Sequence, residues 1–275
     1  MRTISCLMNL SGRKALITGG AGHIGRVAAE TLLELGARVA LVDLNANACK
    51  AEAKRMGHET LAFPCDLADE KAIRQVVRAA TARMKGLDIL IHCAAYVGTT
   101  KVPGWAVPFG EQSLEAWEKA MSINLGAAFI MAQEAQEPLT VSGHGSIIFL
   151  SSIYGMVGPD MSLYKDTTMM TPAGYAASKG GILQLMRYLA TIMAPKIRVN
   201  VISPGGVLRN QPVIFMERYN KRAPLERMAT EEDIKGAVAY IGRAMNQDIQ
   251  PFHPGGCGAY NLTDCFFICQ VAGKS

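Results

Sequence analysis

Several features that would assign this chain to a large class of proteins are missing from it. Its net charge of +5 comes without any basic cluster, so nothing in it calls for nucleic acid. Scattered lysines and arginines are what solvated faces ordinarily carry. No apolar run approaches the ~20 residues that a membrane-spanning helix needs. The segment Ile4-Ser-Cys-Leu-Met is too short and too lightly charged for a secretory signal. Seven cysteines make an odd count with no disulfide-framework spacing, which suits reduced thiols in a reducing compartment. Cys257, Cys265 and Cys269, near His253, follow a Cys-x7-Cys-x3-Cys pattern rather than the paired short spacings of structural zinc sites, and no metal is expected. There is no internal repeat, no low-complexity tract and no Pro/Ser-rich linker before the last thirty residues. These absences leave a cytoplasmic globular protein whose partner is a small molecule, with no nucleic acid and no membrane.

What is present is material for one large core. A chain of 275 residues with 49% hydrophobic content can bury a single α/β unit. Apolar strands near 14–18, 38–42, 60–63, 88–93, 146–151 and 197–202 alternate with helical patterns near 24–35, 45–56, 69–84, 113–137, 174–194 and 231–245. That alternation predicts a doubly wound, parallel sheet covered by helices on both faces, a single domain spanning 1–245. Residues 246–275 form an atypical C-terminal segment, in which an apolar run offers a seventh strand near 265–271.

Two constellations carry chemistry. Lys14-Ala-Leu-Ile-Thr18 runs straight into Gly19-Gly-Ala-Gly22-His23-Ile24-Gly25 and then into an amphipathic helical pattern ending at Gly36. Strand, glycine turn and helix in this order predict a dinucleotide site. Small residues let the backbone approach a pyrophosphate, whose charge the helix N-terminus favours. The next strand ends at Asp43, 18 residues past Gly25, near the spacing of an acid that binds the adenine ribose hydroxyls. Leu44 and Asn45 supply no positive charge for a 2′-phosphate, so the expected cofactor is NAD rather than NADP. The second constellation is Tyr175 and Lys179, four residues apart at the head of an apolar helical run. That spacing puts both on one helical face. A lysine cation beside a phenol favours the phenolate and lowers its pKa, which suits proton exchange with a substrate hydroxyl or carbonyl.

Taken together, these residues resemble the short-chain dehydrogenase/reductase superfamily from about Ser11 to Ala244. Thr18 through Gly25 is similar to its cofactor loop, and Asp66 in Pro-Cys-Asp-Leu67 to its adenine-binding acid. Asn124 and Ser152 match its catalytic asparagine and serine, with Tyr175 and Lys179 completing a tetrad. Ser203-Pro204-Gly205-Gly206-Val207 resembles the segment beside the nicotinamide. The resemblance implies a Rossmann fold and an NAD(H)-dependent oxidoreductase that interconverts a secondary alcohol and a ketone. Tyr175 would exchange the proton, Ser152 polarise the substrate oxygen, Lys179 bond the nicotinamide ribose and Asn124 hold a relay water. It also implies a homodimer or homotetramer built on the helices near 113–137 and 174–194.

Departures from the family pattern point to particulars. His23 replaces a glycine, and the glycine spacing at 19, 22 and 25 is more like that of NAD-retaining sugar epimerases and dehydratases, which remain an alternative. His92-Cys93-Ala94-Ala95 stands where Asn-Asn-Ala-Gly is usual, so a silent NAD-binding protein is a further alternative. Ala94 there is expected to adjoin the cofactor. Arg209 replaces a threonine and is either an anion clamp or a solvated arginine. Two long loops, 96–112 with Trp105 and 159–170, are expected beside the catalytic pair. Trp105 either stacks on a sugar ring or plugs its own loop. The interval of 22 residues between Ser152 and Tyr175 is longer than the family's usual one. The loops and the Gly-His-Ile-Gly motif resemble dehydrogenases of bacterial surface-sugar and nonulosonate pathways, so a polar, sugar-derived substrate is expected. Tyr154 and Tyr164 are rival phenols, but neither has a lysine four residues on.

Overall fold

The computed structural model describes residues 3–57, 60–98 and 100–242, together with the backbone of Cys265–Phe266. Seven parallel strands are β1 (Lys14–Thr18), β2 (Arg38–Asp43), β3 (Thr60–Pro64), β4 (Ile89–His92), β5 (Gly145–Leu150), β6 (Ile197–Ile202) and β7 (Cys265–Phe266). They lie in the order β3-β2-β1-β4-β5-β6-β7. The six strands expected from apolar runs all form. Interior positions of the central strands are buried on both sheet faces, which is why they read as continuous rather than alternating apolar segments. A two-residue β7 is described within the segment expected near 265–271, with Cys265 opposite Val201 and Phe266 opposite Ile202. The expected division at residue 246 and the ligand-like group His253, Cys257 and Cys269 lie outside the described residues.

The helices are α1 (Ile4–Met8), α2 (His23–Glu34), α3 (Ala46–Met56), α4 (Glu70–Met84), α5 (Leu114–Met121), α6 (Ala127–Ser142), α7 (Ala173–Met193), α8 (Val213–Arg222) and α9 (Glu231–Gly242). Side-chain caps set several starts: Asn45 accepts from Ala48 N, Asp69 from Lys71 N and Ala72 N, and Ser113 from Ala116 N. Two apolar layers enclose the sheet. One packs α4, α6 and α7 against Leu16, Leu90, Ile147, Phe149 and Val199. The other packs α2 and α9 against Ile17, Val39, Ile91 and Ile148. None of the described helices is long and apolar enough to cross a membrane.

Three details differ from the sequence expectation. The helical pattern near 113–137 is two α-helices joined by a π-helical turn, Ser122–Gly126, and continues to Ser142. A helix, α8, follows β6 in a stretch where no helical pattern was expected. Residues 159–170 do not project freely but fold back on α8, where Leu163 and Tyr164 share a small core with Phe215, Tyr219, Ala223 and Met228. Arg222 pairs with Asp160 at 2.7 Å, and Arg218 with Asp166 at 3.2 Å and the Lys165 carbonyl. Such exposed ion pairs contribute little individually, so the shared apolar cluster does most of the anchoring.

Candidate active site

The strand order reverses between β1 and β4, and the loops that leave this edge gather the expected residues. Thr18 and His92 are register partners at the ends of these two strands. Thr18 Oγ1 accepts from Cys93 N at 3.1 Å and Ala94 N at 3.2 Å, and lies 2.9 Å from His92 Nδ1. With both accepting directions used, the hydroxyl proton goes to Nδ1, so His92 holds its own proton on Nε2. Burial and the Lys179 ammonium push the imidazole down to about 3, so it is neutral at any ordinary pH. His92 thus ties the end of β4 to the glycine turn.

The glycine turn is built so tightly that side chains cannot enter it. Gly19 has φ +64°, and a Cβ on it would sit 2.9 Å from Ala94 N. A Cβ on Gly25 would lie 2.1 Å from Gly19 O. The first turn of α2 therefore presses onto the loop, presenting backbone N–H groups at a helix N-terminus, the arrangement that accepts a phosphate. At the neighbouring strand end, Asp43 Oδ2 accepts from Ala21 N at 3.0 Å and Oδ1 from Asn45 N at 3.1 Å, which fixes the carboxylate against the loop. Asp66 is exposed after β3 with Oδ1 on Ala68 N, and Leu67 beside it is buried. Across the edge, the Pro204 carbonyl accepts from Ile153 N, Gly206 N donates to Tyr219 Oη at 2.6 Å, and Val207 forms a bridge with Ala229. Gly205 lies between these tethered residues. The residues present fit a dinucleotide.

The tetrad residues come together on α7 and the segments it packs against. Lys179 is buried, and its ammonium donates to the Leu150 carbonyl at 2.7 Å while lying 5.7 Å from the Tyr175 ring centre. Burial pushes it from 10.5 to about 8. Ser151 Oγ donates to the Lys179 carbonyl at 2.8 Å, so the serine turn grips the same residue from both sides. Ser152 Oγ accepts from Tyr154 N at 3.2 Å, and Ser152 acts on the Tyr175 phenol to lower its pKa. The expected lowering of the Tyr175 pKa is not what this geometry gives. Burial raises the phenol and Ser152 opposes it, because the ammonium is turned to a carbonyl rather than to the hydroxyl. Asn124, on the π-turn, spends its side chain on structure. Its Oδ1 accepts from Tyr96 N at 2.6 Å, and its Nδ2 donates to Tyr96 O at 3.2 Å and Ser178 Oγ at 2.9 Å.

Of the two roles open to Trp105, it plugs its own loop: it is 2% exposed, and its Nε1 donates to Val97 O at 2.9 Å. Tyr175 packs against the small cluster that Trp105 forms with Ala116 and Ala120, and the indole closes on Gly174, where a Cβ would meet it at 3.0 Å. Arg209 is held by Glu231 at 2.6 Å. His23 is exposed at the start of α2, its pKa lowered by partial burial and by Arg209 and Arg26. Sequence reasoning missed Ser178, Thr171 and Tyr219. Ser178, one residue before Lys179, carried a positional signal; Tyr219, on a helix not foreseen, carried none.

Comparison with known proteins agrees with this geometry. The family model described as Enoyl-(Acyl carrier protein) reductase matches residues 19–249. D-threitol dehydrogenase of Mycolicibacterium smegmatis is 33% identical over 241 residues, covering 84% of this chain and 86% of that protein. (+)-Borneol dehydrogenase 1 of Salvia officinalis is 33% identical over 245 residues, covering 84% and 87%. The crystal structure of a short chain dehydrogenase from Leptospira borgpetersenii with bound NAD+ superposes with a TM-score of 0.78 at 29% identity, covering 90% of this chain and 92% of that one. The chain belongs to the short-chain dehydrogenase/reductase family, as an oxidoreductase acting on CH–OH groups.

The buried lysine makes one pH-dependent outcome specific. A base whose folded pKa, about 8, lies below its unfolded value binds fewer protons when folded, so stability rises with pH across that interval. The penalty of burying the ammonium is fully present below pH 8 and is relieved as pH rises toward ~10.4. Urea unfolding of the wild type relative to Lys179→Met should show the wild type gaining between pH 8 and 10; a pH-independent difference would contradict the assigned burial.

Proposed function

We propose that the chain is an NAD(H)-dependent dehydrogenase/reductase that interconverts a secondary alcohol and a ketone on a polar, sugar-derived substrate. The observation that carries this is the convergence of Ser152, Tyr175 and Lys179 on the same edge as the Thr18–Gly25 turn and the Asp43 carboxylate. A nicotinamide dinucleotide held there supplies the hydride carrier. Thr18, Gly19, Gly22, His23, Ile24 and Gly25 would hold its pyrophosphate, Asp43 its adenine ribose, Asp66 and Leu67 the adenine, and Ala94, Pro204, Gly205 and Val207 the nicotinamide half.

The chain's own part in the reaction is proton handling. Ser152 orients the substrate oxygen and at the same time opposes the rise in the Tyr175 pKa that burial causes. Tyr175 gives or takes the proton of the reacting oxygen. Lys179 would bond a ribose hydroxyl of the cofactor, and its depressed pKa eases transfer of a proton toward solvent. Because the Asn124 side chain is occupied, its share in holding a relay water falls to its main chain at the π-turn. Tyr154 is the weaker rival. Burial drives its phenol far up and its hydroxyl is engaged by Tyr164, whereas Ser152 offsets the effect of burial on Tyr175.

Assembly as a two-fold homo-oligomer is part of the proposal. On α6 and α7 the faces turned from the sheet keep Phe129, Val141, Tyr188 and Ile192 exposed, apolar surface that a second copy would cover.

Tyr175→Phe keeps the ring's packing against the cluster of Trp105, Ala116 and Ala120, so folding and NAD binding should survive while turnover falls by roughly 10²–10⁴. Near-full activity in that variant would refute the assignment. Asp43→Ala should relax the preference for NAD over NADP in parallel titrations, and tighter NADP binding by the wild type would refute the cofactor. Sedimentation at micromolar concentration should show a dimer or tetramer; an active monomer would refute the assembly.

A further inference from the structure

Three hydroxyls join the catalytic segments from outside the tetrad. Tyr154 lies two residues past Ser152, on the turn Ile153–Gly155 that packs against α7. Thr171 lies four residues before Tyr175. Tyr164, from the insertion, bridges them: its Oη is 2.8 Å from Tyr154 Oη and accepts from Thr171 Oγ1 at 2.6 Å. The Tyr164 ring is locked by the small core it shares with Phe215 and Tyr219 on α8, so the bridge is rigid. Tyr154 N also donates to Ser152 Oγ at 3.2 Å, which ties the relay to the serine of the tetrad.

The hydrogens of this relay do not balance. Three hydroxyl groups bring three hydrogens, and two oxygen–oxygen contacts consume two of them, whichever way the phenol pair is oriented. Since Thr171 donates to Tyr164, the hydrogen left over belongs to Tyr154 or Tyr164, with no acceptor for it among the described residues. A largely desolvated O–H without an acceptor is costly, and a ligand that supplies one is favoured over an analogue that does not.

Resting on the alcohol/ketone reading above, we propose that the Tyr154–Tyr164–Thr171 relay is a specificity-determining site that donates a hydrogen bond to a second oxygen next to the reacting carbon, so that the enzyme selects vicinal diols and hydroxyketones over simple alcohols. The long interval between Ser152 and Tyr175 then has a chemical purpose: it brings Tyr164 to the tetrad. The insertion packs on α8, and the relay held there ends in a hydrogen-bond donor at the serine turn.

The test compares butane-2,3-diol with butan-2-ol, both with NAD+, in the wild type and in Tyr154→Phe/Tyr164→Phe. Phe keeps both rings in their packing, and thermal melting checks the fold. The ratio of kcat/KM for the diol over the mono-alcohol should fall roughly tenfold in the double variant, about the worth of one hydrogen bond. Calorimetric titration of the NAD+-loaded proteins with the diol should show a matching loss of affinity without reference to turnover. An unchanged ratio and unchanged diol affinity overturn the relay, as does an equal loss on both alcohols, which would mark the phenols as structural only. Should the double variant not fold, the wild type decides: no preference for the diol overturns the proposal, and a roughly tenfold preference supports it. A wild type that oxidises neither alcohol refutes the activity reading, and diol binding then decides the relay by itself: wild-type affinity lost in the variant supports it, and no binding overturns it.

Discussion

The buried ammonium of Lys179 is the constraint around which this edge of the molecule is arranged. A cation withdrawn from water needs a partner, and the last carbonyl of β5, that of Leu150, supplies it at 2.7 Å. That bond fixes α7 at a set height over the sheet. The Ser151 hydroxyl holds the Lys179 carbonyl, and Gly155 comes so near that a Cβ there would lie 2.6 Å from the same oxygen. The serine turn and the helix are thus closed on one another. Tyr175, one helical turn earlier, is brought to Ser152 as a consequence. The charge reaches further still, helping to keep His92 neutral and easing the ionisation of Cys93, whose thiol burial nevertheless raises to about 12.

A second set of bonds, at Thr18, does for the cofactor side what Lys179 does for the proton side. One hydroxyl satisfies two backbone N–H groups and the His92 ring at the point where the strand order reverses. The substitution of His92-Cys93-Ala94-Ala95 for a more usual Asn-Asn-Ala-Gly therefore leaves the strand end supported by different chemistry rather than weakened. Asn124 makes the third tie, from the π-turn to the loop after β4 and to α7. Each tie links segments distant in sequence through a buried polar side chain that hydrogen-bonds across them. A polar network of this kind gives a site one geometry instead of several.

Most of the fold is legible in the order of the residues. Continuous apolar runs mark the strands because both sheet faces are covered, and helical spacing marks α2, α4 and α7 because one stripe of each meets the sheet. The glycine turn is legible for a steric reason: Gly25 lies against Gly19, and no other residue fits. Tyr175 and Lys179 are legible because their relation is local, four residues on one helix. The π-turn is not, since the bonds that tie it down run from Asn124 to Tyr96 and Ser178, residues distant in the chain.

Short-range relations are therefore written into the chain itself: strand, turn and helix at the N-terminus, the acid at the end of β2, and the tyrosine–lysine pair. Long-range packing settled the rest. It chose where the lysine spends its charge, made Asn124 a structural tie, set Trp105 as a plug against Tyr175, and carried Tyr164 from the insertion to meet Tyr154 and Thr171. The physical reason is range. Propensity, periodicity and capping act over a few residues and leave a trace in the order of the chain. A hydroxyl or ammonium in the interior takes whichever partner the packing of remote segments brings within ~3 Å, and that choice leaves no trace in the sequence around it.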